Sequence, residues 1–169
     1  MKLSRILFLF SSFVLLFVVA SQTTSAQTLP TKVSGYLDKS YSGWKLSAVT
    51  DGCGSDFSNS KVSGDFNGDK KTDYVVKFLK GRKGYIIAFV SSGAGYKPII
   101  LESGTTKEIK NQGLAIAKKG ETYGEIINDN FDRANRRLQN DAPVGGTCEA
   151  STYFYIYKNG AFKRAFTSD

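Results

Sequence analysis

One nonapeptide in the sequence concentrates oxygen-bearing side chains that could bind a cation. It runs Asp65-Phe66-Asn67-Gly68-Asp69-Lys70-Lys71-Thr72-Asp73, so Asp or Asn stands at positions 1, 3, 5 and 9 of the segment. Ca²⁺ is a hard cation that takes about six to eight oxygen ligands. Four side-chain oxygens and a backbone carbonyl near Lys71 would supply most of that shell. The spacing therefore predicts a calcium-type loop at residues 65–73.

A metal-free interpretation of the loop stays open. Its three aspartates repel one another unless something neutralises them. Lys70 and Lys71 could do so within an Asx-rich turn, although the spacing favours the metal. The loop is not an EF-hand, because position 12 is Val76, where an EF-hand needs a bidentate glutamate. Position 6, usually glycine in such loops, is Lys70.

The segment from Gly64 to Val76 resembles the calcium loop and following strand of FG-GAP/VCBS-type repeats. In those repeats an Asp-x-Asn-x-Asp-x-x-x-Asp loop binds calcium, and the apolar strand after it enters a sheet. Family members usually carry several copies and build propellers, whereas this sequence has one copy. The resemblance therefore implies the loop chemistry and not the propeller. The ligand set that it implies is Asp65, Asn67, Asp69 and Asp73 through side chains, and Lys71 through its carbonyl.

The first 26 residues predict a secretory signal peptide. Lys2 and Arg5 form a basic start, an apolar stretch follows from Ile6 to Ala20, and Thr24-Ser25-Ala26 is a plausible cleavage site. The apolar stretch of about 15 residues is shorter than the ~20 that span a bilayer, so no transmembrane segment is expected in the mature chain. We expect residues 27–169 to form one secreted or periplasmic domain.

Charge and cysteine content fit an exported domain. Loss of Lys2 and Arg5 lowers the net charge from +8 to +6. A positive charge of this size could attract anionic surfaces, but it more readily serves solubility alone. Nucleic acid is not expected as a partner in that compartment. Cys53 and Cys148 are the two cysteines, and an exported chain favours a disulfide between them. It would close a loop of roughly 95 residues and stabilise the fold by ~4 kcal/mol.

Apolar patterning predicts an α+β fold, a mostly antiparallel sheet with an N-terminal helix. Apolar residues at helical spacing after Pro30 predict a helix over residues 30–41. Asn159-Gly160 predicts a tight hairpin turn. The segment Glu125–Leu138 stays open, since its apolar residues suit a helix and its Asn and Asp residues disfavour one. The predicted strands are Trp44–Val49, Tyr74–Leu79, Tyr85–Ser91, Tyr96–Glu102, Leu114–Lys118, Thr152–Lys158 and Phe162–Thr167.

Tyrosine and basic residues offer weaker signals for a ligand. Tyr153, Tyr155 and Tyr157 alternate along one predicted strand, either as an exposed platform for sugar rings or as an aromatic ladder in the core. Basic clusters could bind acidic glycans, or could be ordinary solvated charge at turns. These clusters are Arg82-Lys83, Lys118-Lys119 and Arg133 with Arg136-Arg137.

The sequence favours a binding or structural role over catalysis. There is no histidine, which excludes Ser-His-Asp and Cys-His catalysis and removes the commonest general base. We expect an exported, non-enzymatic domain stabilised by calcium, with an unknown protein or an acidic glycan as partner. The first alternative is a metal-independent adaptor or inhibitor in the cell envelope that binds through basic loops. The second alternative, a hydrolase, is disfavoured by the missing histidine.

Overall fold

A computed structural model describes residues 28–47, 57–127, 132–147 and 150–167. Over these residues the chain forms two helices and eleven strands. In chain order they are α1 (Thr31–Ser40), β1 (Lys45–Leu46), β2 (Lys61–Gly64), β3 (Asp73–Lys80), β4 (Lys83–Ser92), β5 (Gly95–Thr105), α2 (Thr106–Lys110), β6 (Gln112–Ala117), β7 (Thr122–Ile126), β8 (Arg133–Arg137), β9 (Ala142–Thr147), β10 (Ser151–Lys158) and β11 (Ala161–Thr167).

The first sheet contains β1 to β5 and is antiparallel throughout. Strand β3 pairs with β4 on one side and with β1 and β2 on the other, and β5 extends the sheet from β4. Side chains on β3 alternate between the two faces, so that Val75 and Leu79 face one side and Val76 and Phe78 the other. Both faces of this sheet are covered, which explains its nearly continuous apolar strands.

Helix α1 covers one face of the first sheet. Val33 and Leu37 lie four residues apart on one side of the helix and are fully buried against Phe78 and neighbouring residues. The indole Nε1 of Trp44 donates to Oδ1 of Asp38 at 2.8 Å. This hydrogen bond links the end of α1 to the residue just before β1. Helix α1 is therefore part of the hydrophobic core.

The second sheet covers the other face. Its strand order is β11-β10-β9-β6, again antiparallel, and its Leu114 packs with Val75 and Ile86 of the first sheet. Strands β7 and β8 form a separate hairpin on the outer side of the second sheet. There the ring of Tyr123 stacks on Phe154, with centroids 4.7 Å apart. The architecture is thus layered as helix, sheet, sheet and hairpin.

The predicted fold class is confirmed in its coarse form, as a mostly antiparallel α+β structure with an N-terminal helix. Helix α1 lies within the predicted range 30–41, and the strongest predicted strands lie within β3, β4, β5, β10 and β11. Asn159 and Gly160 both have positive φ, 53° and 83°, as the predicted tight turn requires.

Several local predictions need correction. Strand β1 covers only Lys45–Leu46 within the described part of the predicted strand Trp44–Val49. The turn between β3 and β4 is only Gly81-Arg82, because both strands extend beyond the predicted ranges Tyr74–Leu79 and Tyr85–Ser91. The segment Glu125–Leu138, which the sequence leaves open, contributes the end of β7 and all of β8 to the β7–β8 hairpin. Strands β2 and β9 and helix α2 were not predicted.

Cys53, Cys148 and the predicted signal peptide lie outside the described residues, so the disulfide and the cleavage remain predictions. Among the residues that the structure does describe, no helix is both long and apolar enough to cross a membrane.

Candidate functional site

Loop 65–73 is coiled by hydrogen bonds from its own backbone to its first carboxylate. Asp65 Oδ1 accepts from the N–H of Gly68 at 2.7 Å, and its Oδ2 accepts from the N–H of Lys70 at 2.9 Å. Two residues at positive φ make the tight path possible, Gly68 at 80° and Lys70 at 64°. Lys70 thus takes the left-handed conformation at the position where glycine is usual, which costs strain that glycine would avoid.

Asn67 and Asp69 each add a two-residue Asx turn. Asn67 Oδ1 accepts from the N–H of Asp69 at 3.0 Å, and Asp69 Oδ1 accepts from the N–H of Lys71 at 2.8 Å. Such turns are a usual role of Asx residues in tight loops. Each bonded oxygen keeps a second lone pair. The turns therefore orient the oxygens without using up their capacity as ligands.

Asp73, the last residue of the loop, is buried and accepts hydrogen bonds from the backbone at the start of the loop. Its side chain is fully buried at the start of β3. Oδ2 accepts from the N–H groups of Phe66 at 2.7 Å and Asn67 at 3.3 Å, and Oδ1 accepts from the N–H of Ser91 at 2.7 Å. Burial raises the pKa of Asp73, and these hydrogen bonds offset that effect only in part. No cationic side chain of the described residues pairs with it.

Ser91, on β4, joins the loop to the neighbouring strand. Its hydroxyl donates to Asp69 Oδ2 at 2.6 Å, and its carbonyl accepts from Asn67 Nδ2 at 3.2 Å. The hydroxyl bond is the largest of the effects that hold the pKa of Asp69 below its usual value. Sequence reasoning missed Ser91 because it lies outside the loop and reaches it only through strand pairing.

The donor set of the loop suits a hard cation in its chemistry. All four side-chain candidates carry oxygen, the ligand atom that Ca²⁺ prefers. Yet among the described residues no three acidic side chains lie in an arrangement that could hold a metal ion. Lys71 keeps its carbonyl as a candidate ligand.

The loop also contacts the second sheet through Asn140 and Asp141. Asp141 Oδ2 accepts from the N–H of Asp65 at 3.3 Å, and the N–H of Asp141 donates to the Asp65 carbonyl at 3.1 Å. Asn140 Nδ2 donates to the carbonyl of Phe66 at 3.3 Å. Burial alone would raise the pKa of Asp141, but hydrogen bonds from the Lys119 and Asp65 amides and from the Lys118 ammonium outweigh it and lower that pKa. The loop is thus a joint between the two sheets.

A cleft of about 560 Å³ lies next to this contact and is lined in part by Phe66, Asn140 and Asp141. Phe66 of the loop contributes to its lining, together with residues of the β7–β8 hairpin, of the segment before β9 and of the end of β10. The charged lining residues are the basic Arg136, Arg137 and Lys158 and the acidic Asp141. The cleft therefore combines basic side chains with an apolar floor.

The basic clusters noted in the sequence lie in different parts of the fold. Arg82-Lys83 lies at the β3–β4 turn and Lys118-Lys119 between β6 and β7, so only the cluster on β8 borders the cleft.

Tyr153 and Tyr155 are buried, which rules out an exposed platform at those positions. Both hydroxyls donate to Glu102 Oε1, at 3.5 and 2.6 Å, and Glu102 pairs with Arg164. These tyrosines form a hydrogen-bonded part of the interior.

Comparisons of the chain with protein-family models, with curated proteins and with solved structures find no match. The geometry and chemistry of the site are thus the basis for any statement about function.

Proposed function

We propose that the protein is an exported, non-enzymatic binding or structural domain whose loop 65–73 takes calcium. The observation that carries the proposal is Asp73, a fully buried carboxylate inside a loop of oxygen donors, with no cationic partner among the described residues. A buried carboxylate without a counter-charge is costly. A bound cation would offset that cost and the repulsion from Asp65 and Asp69.

A bound ion would stabilise the fold by strengthening the contact that the loop makes between the two sheets. Asp73 begins β3, Ser91 belongs to β4, and Asp141 precedes β9, so one loop contacts elements of both sheets. Sites of this kind in exported modules often have dissociation constants of about 10⁻⁴–10⁻³ M. Millimolar calcium would then stabilise the fold by ~1 kcal/mol through mass action.

Thermal unfolding of the exported, oxidised protein tests this proposal. We expect the midpoint to be higher in about 2 mM calcium than in chelator. Asp69→Ala should remove the difference, whereas Asp38→Ala, which also removes one carboxylate but lies on α1, should keep it. A wild-type midpoint that is equal in calcium and chelator would make the loop an Asx-rich turn and end the calcium proposal.

The metal-independent alternative, an adaptor or inhibitor that binds a protein or an acidic glycan, gains support from the basic cleft. A cleft with Arg136, Arg137 and Lys158 in its lining could hold an anionic ligand whether or not calcium is present. Binding that falls with salt and is unchanged by chelator would favour this alternative. Turnover of ester, peptide or glycan substrates would contradict a non-enzymatic role under either proposal.

A further inference from the structure

We propose that the cleft between the β7–β8 hairpin and the end of β10 binds an acidic sugar chain. The inference rests on the proposed role as a binding domain and names the ligand class for it. The cleft volume of about 560 Å³ falls within the roughly 300–1,000 Å³ typical of ligand sites. Its lining brings basic residues of β8 together with the apolar residues Phe66 and Ile156.

The cleft is built into the architecture of the second sheet. The ladder between β9 and β10 runs from Thr147↔Ser151 to Val144↔Phe154 and stops there. Beyond that point Ala142 of β9 and Ile156 of β10 both line the cleft, so the strands separate around it. Because hydrogen-bonded strands supply two of its walls, the cleft is a preformed feature of the fold.

Charge favours an anionic ligand. Arg136 pairs with Glu125 at 2.9 Å, and Asp141, the acidic residue of the lining, pairs with Lys118 at 3.3 Å. Neither Arg137 nor Lys158 has an acidic partner among the described residues, so these two positive charges are not neutralised by a neighbour. Arg137 Nε donates to the carbonyl of Gly120 at 3.0 Å, which holds the side chain in place. The remaining guanidinium N–H groups stay available for a carboxylate or sulfate, which arginine binds in bidentate fashion.

Aromatic and amide groups favour a sugar over other anions. Tyr123 lines the cleft and is held by stacking on Phe154, with an interplanar angle of 22°. Tyrosine combines a rigid apolar ring with a polar hydroxyl, as suits the mixed surface of a sugar ring. Asn135, Gln139 and Asn140 add amide groups that can both donate to and accept from sugar hydroxyls. A concave site of this composition suits a chain segment better than a flat membrane surface.

Titration calorimetry with an oligogalacturonate tests the proposal, with a malto-oligosaccharide of the same length as the neutral control. We expect the exported protein to bind the acidic probe and not the neutral one. Arg137→Gln/Lys158→Gln should weaken binding by about tenfold or more. Lys45→Gln/Lys83→Gln removes the same charge outside the cleft lining and should change affinity less than about twofold.

Several outcomes would overturn the proposal. Equal weakening by both double variants would mean that binding depends on net charge alone. No binding of the acidic probe, equal binding of the neutral probe, or preferential binding of anionic phospholipid vesicles would also reject it. Lys158→Gln alone, at an exposed position, repeats the test without disturbing the Arg137 bond. Titration in calcium and in chelator separates failure of the cleft from failure of the metal loop.

Discussion

At the scale of single residues, Lys77 is a charged side chain in the interior. It lies on the face of β3 that also carries Val75 and Leu79, between the two sheets, and is fully buried. Its Nζ donates to the carbonyl of Gln112 at 2.6 Å. Burial lowers the pKa of Lys77 to about 8. The folded protein therefore releases this proton more easily than the unfolded chain does.

This shift predicts a pH dependence with a definite sign. Between about pH 8 and the ordinary lysine value of 10.5, the unfolded chain holds more protons at this site, so stability rises with pH. Below about pH 8 both states are protonated and the cost of the buried charge is fully present. We expect the free energy of unfolding, measured in urea, to gain more from pH 7.5 to 9.5 in the wild type than in Lys77→Met, by up to ~2 kcal/mol. Equal gains would reject this account of Lys77.

Ser91 offers a second test at this scale. Because its hydroxyl is the main cause of the low pKa of Asp69, Ser91→Ala should raise that pKa toward its ordinary value. Nuclear magnetic resonance titration of the Asp69 carboxyl in chelator would measure the change. Glu108, whose low pKa arises from the Thr105 cap, should titrate unchanged and serves as the internal control. An Asp69 pKa that is the same in wild type and variant would show that the Ser91 hydroxyl does not contact this carboxylate in solution.

At the scale of elements, the contact between β2 and the segment before β9 leaves no room for a side chain at Gly64. A Cβ there would lie 2.7 Å from Asp141 Oδ2 and 2.8 Å from Ile116 Cδ1. We expect Gly64→Ala to lower the free energy of unfolding by about 1–3 kcal/mol. Gly35→Ala is the matched control, because its Cβ would meet nothing within 4 Å and alanine favours helix α1. Denaturant unfolding measures both, and an undisturbed Gly64→Ala would mean that the sheets do not meet closely there.

The elements also show how far local pattern predicts structure. Helix α1 and strands β3 and β4 were predictable because their apolar residues repeat with the periods of a helix and a strand. Strand β9, with the sequence Ala-Pro-Val-Gly-Gly-Thr, carries the residues that disfavour strands. It forms because it lies between β6 and β10, which supply its hydrogen bonds and bury it. The formation of β9 therefore depends on tertiary contacts with β6 and β10 and not on its own sequence pattern.

At the scale of the whole molecule, the predicted disulfide between Cys53 and Cys148 would tie the region before β2 to that before β10. On the chain-entropy model, Cys53→Ser/Cys148→Ser should lower the free energy of unfolding by up to ~4 kcal/mol. Chemical denaturation of the protein measures that loss, and a thiol assay before and after reduction establishes whether the bridge exists. Two reactive thiols in the untreated protein would reject the disulfide.

The sequence by itself indicated the fold class, the loop of Asx residues at 65–73 and the tight turn at Asn159-Gly160, because apolar periodicity and turn residues can be recognised within short stretches of chain. Tertiary structure decided what the loop contacts. Ser91 and Asp141 reach it only through strand pairing and packing, from 18 and 76 residues away from their bonded partners. Packing also buried Lys77 and opened the cleft where β9 and β10 separate, and no local pattern encodes either result.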